Sequence, residues 1–243
     1  MRIGLNIVGP QMPIRTGTDY INDMQAALLI AQTQFNATNN NRHLEMRLIG
    51  TCLSALYQAS TCHRKCHNNG HVLEALAGRA HNLGAAAIDL ARGGFYDEAL
   101  NLIRGIGEIA NLIAALAVNK EALRDWLAST PETRRKKFGP GKIRDMLRKN
   151  GAGFPILADT DWYSRLCESY THVTPKTRPG AHGRDSKDWV GPVFQKQGAD
   201  SSISELAGII TPLAAMICAY FKFDDLFAEI ESLIGEFKSE PES

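Results

Sequence analysis

A chain of 243 residues, 44% hydrophobic and 22% charged, can bury one generous core or two small ones and has the composition of a globular rather than a disordered protein. A formal net charge of +1 excludes a uniformly basic or acidic surface, and five scattered cysteines, an odd number, argue against a disulfide framework. The opening MRIGLNIVGPQMPIR is interrupted by Asn6 and Pro10, so it lacks the apolar stretch of a secretory signal, and a cytoplasmic, reducing setting is expected.

In chain order, DYINDMQAALLIAQTQFN has helical spacing and stops at the polar NATNNNR. LEMRLIGTCLSALYQAS is a second helix. A long helix is predicted from about Val72 to Ala91, ending at the Gly93-Gly94 pair, and another from Tyr96 to about Val118 with Asp97 and Glu98 in its first turn. Joined by so short a turn, these two are expected to pack antiparallel as a helical hairpin. KEALRDWLA is a short helix, and the basic segment after it is broken at Gly139-Pro140-Gly141. DWYSRLCESYTH reads as a helix capped by Asp159 or Thr160 and ended by Pro175. Residues 173–200 read as an exposed loop, and two helices near 201–221 and 223–237 close the chain. No strand pattern of useful length is present, so the fold class expected is all-α, a single antiparallel helical bundle. The run Leu206 to Phe221 contains Pro212 and is shorter than the ~20 residues of a membrane span, so no membrane partner is expected.

Charge is distributed unevenly. Arg134, Arg135, Lys136, Lys137, Lys142, Arg144, Arg148 and Lys149 face only Glu132 and Asp145 between residues 131 and 150, whereas the chain from Asp224 onward is acidic. Arg134, Arg135, Lys136 and Lys137, with Arg178 and Arg184 in the later loop, are candidates for tracking an RNA backbone, and Phe138 and Trp189 could stack on bases. A solvated charged face is the plainer reading. The acidic tail could equally seek the basic segment of the same chain or of a second copy.

Two polar stripes stand out. Asn101, Arg104, Glu108 and Asn111 recur at three- and four-residue spacing on an otherwise apolar helix, so they share one side of it. Either an Arg104–Glu108 pair closes a core or the stripe lines a polar cleft; Arg79, Asn82 and Asp89 on the preceding helix have spacing that would let them face it. In the later helix, seven steps of about 100° bring His172 back to within about 20° of Arg165, with Glu168 and Ser169 on the same side. A cation, a carboxylate and a group titrating near neutrality suit phosphodiester chemistry: arginine holds phosphate oxygens and histidine moves a proton. A solvated stripe with Glu168 paired to Arg165 is the alternative.

The segment ARGGFYDEALNLIRGIGEIANLI, followed downstream by YSRLCESYTH, resembles the HEPN-like helical superfamily, in a prokaryotic branch with an R-x3-E motif on its central helix. The resemblance spans about residues 72–173, which it casts as a four-helix core, with 1–71 as N-terminal flanking helices, 174–200 as a basic loop and 201–243 as closing helices with an acidic tail. It implies frequent homodimerisation and, in many members, metal-independent ribonuclease activity without a cofactor in toxin, abortive-infection or antiviral defence systems. Arg104 and Glu108 match R-x3-E; Arg165 and His172 match the longest form of the superfamily's R-x4–6-H motif. Leu166 departs from the pattern, since active members usually carry a polar residue after the arginine. The resemblance thus makes Arg165, His172, Arg104 and Glu108 candidate catalytic residues of an endoribonuclease or RNA-binding protein, and the shared helix side adds Glu168. The competing expectation is a non-catalytic helical module that engages a protein partner and whose polar stripe is structural.

CHRKCHNNGH gathers Cys62, His63, Cys66, His67 and His71. On a helix, Cys62 with Cys66 and His63 with His67 would be one turn apart, but C-x3-C-H is not the usual C-x2-C zinc spacing and a second ligand pair is not evident downstream. The plainer expectation is a solvated helix end without metal. Phosphate-binding glycine loops and the G-x-S-x-G elbow are missing from the sequence.

Overall fold

A computed structural model describes residues 7–8, 15–38, 42–64, 71–150, 156–175, 177–183 and 187–239. The chain is all-α: α1 (Gly17–Thr38), α2 (His43–Ser60), α3 (Val72–Arg92), α4 (Tyr96–Val118), α5 (Lys120–Ala128), α6 (Pro131–Phe138), α7 (Pro140–Asn150), α8 (Thr160–Leu166), α9 (Lys196–Phe221) and α10 (Asp224–Ser239). Two-residue strands β1 (Ile7–Val8) and β2 (Asp188–Trp189) pair in parallel, Ile7 opposite Asp188, and are too short to leave a pattern in the sequence.

The core lies where α2, α3, α4 and α9 meet; α10 covers α2 and α9, while α7, α8 and the turn after α8 lie on α4. Two of these central helices, α2 and α9, come from outside residues 72–173. On α4 the buried residues Ala99, Leu100, Ile103, Ile106, Ala110 and Ile113 follow the three- and four-residue rhythm of one helix side. On α3 the buried residues are mostly small, Ala77, Ala80, Gly84, Ala87 and Ala91, which lets the neighbouring backbones approach closely. A Cβ on Gly84 would stand 2.8 Å from the Leu53 side chain and 3.0 Å from that of Ile210. Arg79, Asn82 and Asp89 are exposed on the outer side of α3, away from the α4 stripe that their spacing suggested.

Helix boundaries follow local chemistry. Asn119 caps α5 by accepting from the Glu121 and Ala122 amides, Thr130 caps α6 ahead of Pro131, and Asp159 caps α8 by accepting from Trp162 at 2.8 Å. Helix α9 begins at Lys196, several residues earlier than its apolar pattern suggests, because Gly198, Ala199 and Ser202 are buried against the bundle. At 26 residues it is, like α4, long and apolar enough by length and composition to cross a membrane, and half or more of the apolar window of each is buried within the bundle. The apolar run Leu206 to Phe221 is the latter part of this longer helix, and Pro212 lies inside the helix without ending it.

The acidic residues of α10 find partners near α2 rather than on the basic segment. Asp225 binds Arg64 through two hydrogen bonds, Glu236 lies 3.5 Å from Arg47, and Glu229 accepts from Thr51. The Arg64 guanidinium holds the exposed Asp225 carboxyl down at about 2. Arg64 also sits over the Phe223 ring.

Three buried groups make the fold sensitive to alkali. Burial pushes the Cys52 thiol up to about 12, the Cys218 thiol up to about 11 and the Tyr96 phenol up to about 12. The folded state keeps their protons while an unfolded chain releases them above about pH 8.5 for thiols and about pH 10 for phenol. Stability is thus complete below about pH 8.5 and falls as the pH rises through 11 to 12. Urea midpoints measured from pH 7.5 to 10.5 are expected to decline above pH 9, and Cys52→Val should flatten the decline. Midpoints that stay level across that range would contradict it.

Candidate functional site

The polar stripe of α4 docks the segment 158–171. At one end the buried Asn111 side chain pairs with a peptide group: Nδ2 donates to the Ala158 carbonyl at 2.7 Å, and Oδ1 accepts from the Ala158 amide at 3.2 Å. In the middle, Arg104 donates to Glu108 at 2.6 Å and to the Tyr163 hydroxyl at 2.9 Å, and that hydroxyl donates to Glu108 at 2.7 Å. At the far end Thr171 donates to Asn101 at 2.9 Å. Gly107 lies between, and a Cβ there would come within 2.6 Å of the Trp162 ring and 2.8 Å of the Ala158 side chain. Each residue of the stripe thus meets a group on the docked segment, which is how polar residues on a core helix reduce a desolvation penalty. The buried Arg104 Nε is the exception, with no hydrogen-bond partner among the described residues.

A depression of about 190 Å³ opens at the Glu108–Tyr163 end, bordered also by Phe138, Ile143 and Arg144. The Arg144 guanidinium lies 4.7 Å from the Tyr163 ring centre. Burial, then the hydrogen bonds to Glu108 and Cys167, push the Tyr163 phenol up, so it remains a neutral donor.

After Leu166 the helix widens into a π turn, Cys167–Thr171, in which the His172 amide donates to the Cys167 carbonyl at 2.9 Å. A π turn takes more residues per revolution than an α-helix, and His172 itself is extended. The α-helical rotation that would superpose Arg165 and His172 therefore does not apply, and the expected common stripe is corrected. Arg165 instead donates to Glu205 of α9 at 2.6 Å, and the same carboxylate accepts from the Trp162 indole at 2.6 Å. Glu168 is exposed on the π turn, and the carboxylate that grips Arg165 is that of Glu205. Leu166 is fully buried in the core, which accounts for an apolar residue after the arginine.

His172 borders a different hollow, about 360 Å³, between the α3–α4 turn, the π turn and the loop before α9. Its lining includes Asp97, Tyr170, His172, Arg178 and Trp189. Arg178 is held from beneath by Asp188, whose side chain is completely buried, through an Nε–Oδ1 contact of 2.5 Å. Beside the hollow, His182 contacts Asp97 through Nε2 at 2.7 Å, stacks on Tyr170 with ring centres 5.9 Å apart, and meets Tyr96 edge-on. Asp97 also accepts from the Gly180 amide at 2.8 Å. Gln195 closes the loop, donating from its amide to the Tyr96 hydroxyl at 2.9 Å and from its side chain to the Gly180 carbonyl at 2.8 Å. Burial, then the nearby Asp97 carboxylate, push the Tyr170 phenol up.

Among the predicted candidates, the structure brings together Arg104 with Glu108 and His172 with Arg178. It does not bring Arg165 to His172. Arg134, Arg135, Lys136 and Lys137 are all exposed on α6: Arg134 lies over Trp126 and donates to the Ser129 carbonyl, Lys136 pairs with Glu132, and Lys137 lies 3.8 Å from Asp125. Arg184, Cys66 and His67 lie outside the described residues. Sequence reasoning missed His182, Asp188 and Glu205. Glu205 left a signal, as a carboxylate directly before the apolar run that begins at Leu206; His182 and Asp188 sit in a loop with no periodicity to mark them.

No family model matches the chain, and neither does any curated protein or solved structure.

Proposed function

We propose that this chain is a HEPN-like antiparallel bundle that binds single-stranded RNA and cuts it without a metal, at the hollow beside the π turn. The observation that carries this reading is that His172 and Arg178 line one open hollow with Trp189. An exposed imidazole can take the proton of a ribose 2′-hydroxyl. The 2′-oxygen then attacks phosphorus and the 5′-oxygen leaves, giving a 2′,3′-cyclic phosphate end. Arg178, braced by Asp188, stabilises the charge on the phosphorane. In this reading Arg178 takes the place that the R-x6-H spacing gives to Arg165, and Arg104 and Glu108 position the docked segment rather than touch RNA. The exposed basic residues of α6 extend the path of the phosphate backbone. Homodimerisation and a prokaryotic defence or toxin setting rest on the HEPN resemblance alone.

The test is degradation and binding of a labelled single-stranded RNA. His172→Ala is expected to reduce cleavage by about 100-fold or more, Arg178→Lys to weaken it, and Arg165→Ala to leave it nearly unchanged. Binding should weaken with added salt. Equal cleavage by wild type and His172→Ala would overturn the catalytic assignment. Wild-type protein that binds no RNA at low salt would support a second reading, a non-catalytic interaction module, which is favoured by a stripe on α4 whose four residues each find a partner within the fold.

A further inference from the structure

The connection between α2 and α3 carries three side chains of metal-ligating chemistry that the hollow does not use. Cys62 follows the end of α2, His71 precedes α3, and Glu74 lies in the first turn of α3. Cys62 Sγ stands 3.6 Å from His71 Nδ1, and that nitrogen stands 3.7 Å from a Glu74 carboxylate oxygen. All three donor atoms fall within 4.8 Å of one another. A tetrahedral zinc ion, with bonds of about 2.3 Å to sulfur and about 2.0–2.1 Å to nitrogen, requires its sulfur and nitrogen ligands to be roughly 3.6 Å apart. The observed Sγ–Nδ1 separation therefore already has the span such an ion needs.

Two further features suit the same purpose. Cys62 and His71 both adopt left-handed backbone, with φ of 51° and 54°, a conformation unfavourable for residues other than glycine. Strain of this kind is retained where surrounding structure compensates it, and it turns both side chains toward one point. The Glu74 side chain is only 5% exposed, an unusual place for a carboxylate, whereas His71 is 53% exposed and leaves the point open to solvent.

We infer that Cys62, His71 and Glu74 form a three-ligand site for a zinc-class divalent ion, with water completing the coordination. The ligand set of thiolate, imidazole and carboxylate selects zinc over magnesium or calcium, which take oxygen ligands alone. Bound there, the ion ties the end of α2 to the start of α3 and stabilises the folded chain by linkage. The site is separate from the RNA reading, whose chemistry needs no metal.

The experiment uses full-length protein without a histidine tag, freed of metal by chelation and checked for helix content by circular dichroism. Zinc titration with a competing chromophoric chelator should show one equivalent bound, and cobalt(II) should give a thiolate-to-metal charge-transfer band. Cys62→Ser and His71→Ala should weaken zinc binding by more than about 100-fold, beyond the loss usual for residues that only support a ligand, and Cys62→Ser should abolish the cobalt band. Glu74→Gln should weaken zinc binding as well. Zinc should raise the melting temperature of wild type and not that of Cys62→Ser. Failure of folded wild-type protein to retain zinc through gel filtration, or zinc bound equally tightly by Cys62→Ser and His71→Ala, would overturn the assignment.

Discussion

Gly94→Ala is expected to destabilise the protein by about 2–5 kcal/mol and to open the hollow from its floor. Gly94 has a φ of +82°, where a Cβ costs roughly 1–2 kcal/mol. The added carbon would also meet the Val193 backbone, with its oxygen at 2.5 Å, its nitrogen at 2.6 Å and its carbonyl carbon at 2.8 Å. Backbone atoms have no rotamer by which to move aside, so the 190–195 loop must shift, at the roughly 1–3 kcal/mol usual for overpacking. Because Gly94 and Gly191 both border the hollow, that shift reaches Trp189 and Arg178. Chemical denaturation measures the loss, and RNA binding by the folded fraction measures the displacement. Gly141→Ala is the control: it lies in α7, its added Cβ meets nothing within 4 Å, and it should be neutral or stabilising. A Gly94→Ala protein as stable as wild type would refute the close approach of these two segments.

Asn111→Leu is expected to cost about 2–4 kcal/mol. Asn111 is 3% exposed and Ala158 is fully buried, so the substitution strands an amide and a carbonyl in the interior. Each stranded group costs about 1–3 kcal/mol, partly offset by the apolar side chain that replaces the amide. The loss should lower the melting temperature by roughly 5–15 °C. It should also appear locally, as faster hydrogen exchange in residues 156–172, since Asn111 fixes the start of that segment on α4. Unaltered melting and exchange would show that the segment docks through Trp162 and Leu166 alone.

The helices were legible because their causes are local. The Tyr96–Val118 boundaries can be read from an apolar rhythm, two acidic residues at the start and a glycine pair before it, all within one stretch of chain. The stripe of Asn101, Arg104, Glu108 and Asn111 was visible for the same reason, as was a cap at Asp159 or Thr160, of which Asp159 is the one that forms. What these residues bind was not legible, because Tyr163, Ala158 and Thr171 are distant in sequence and come to α4 only when α8 docks. The spacing of Arg165 and His172 misled for a specific reason: a widened turn and an extended residue change the rotation between them, and periodicity assumes it constant.

Sequence alone determined an all-α chain, the ends of most helices, the basic and acidic segments and the polar stripe, since each depends on residues within a few turns of one another. Tertiary structure alone decided that Glu205 holds Arg165, that His172 shares a hollow with Arg178, and that Cys62, His71 and Glu74 converge. These depend on how segments far apart in the chain pack, and packing is set by the shape and burial of whole surfaces rather than by the period of any one helix.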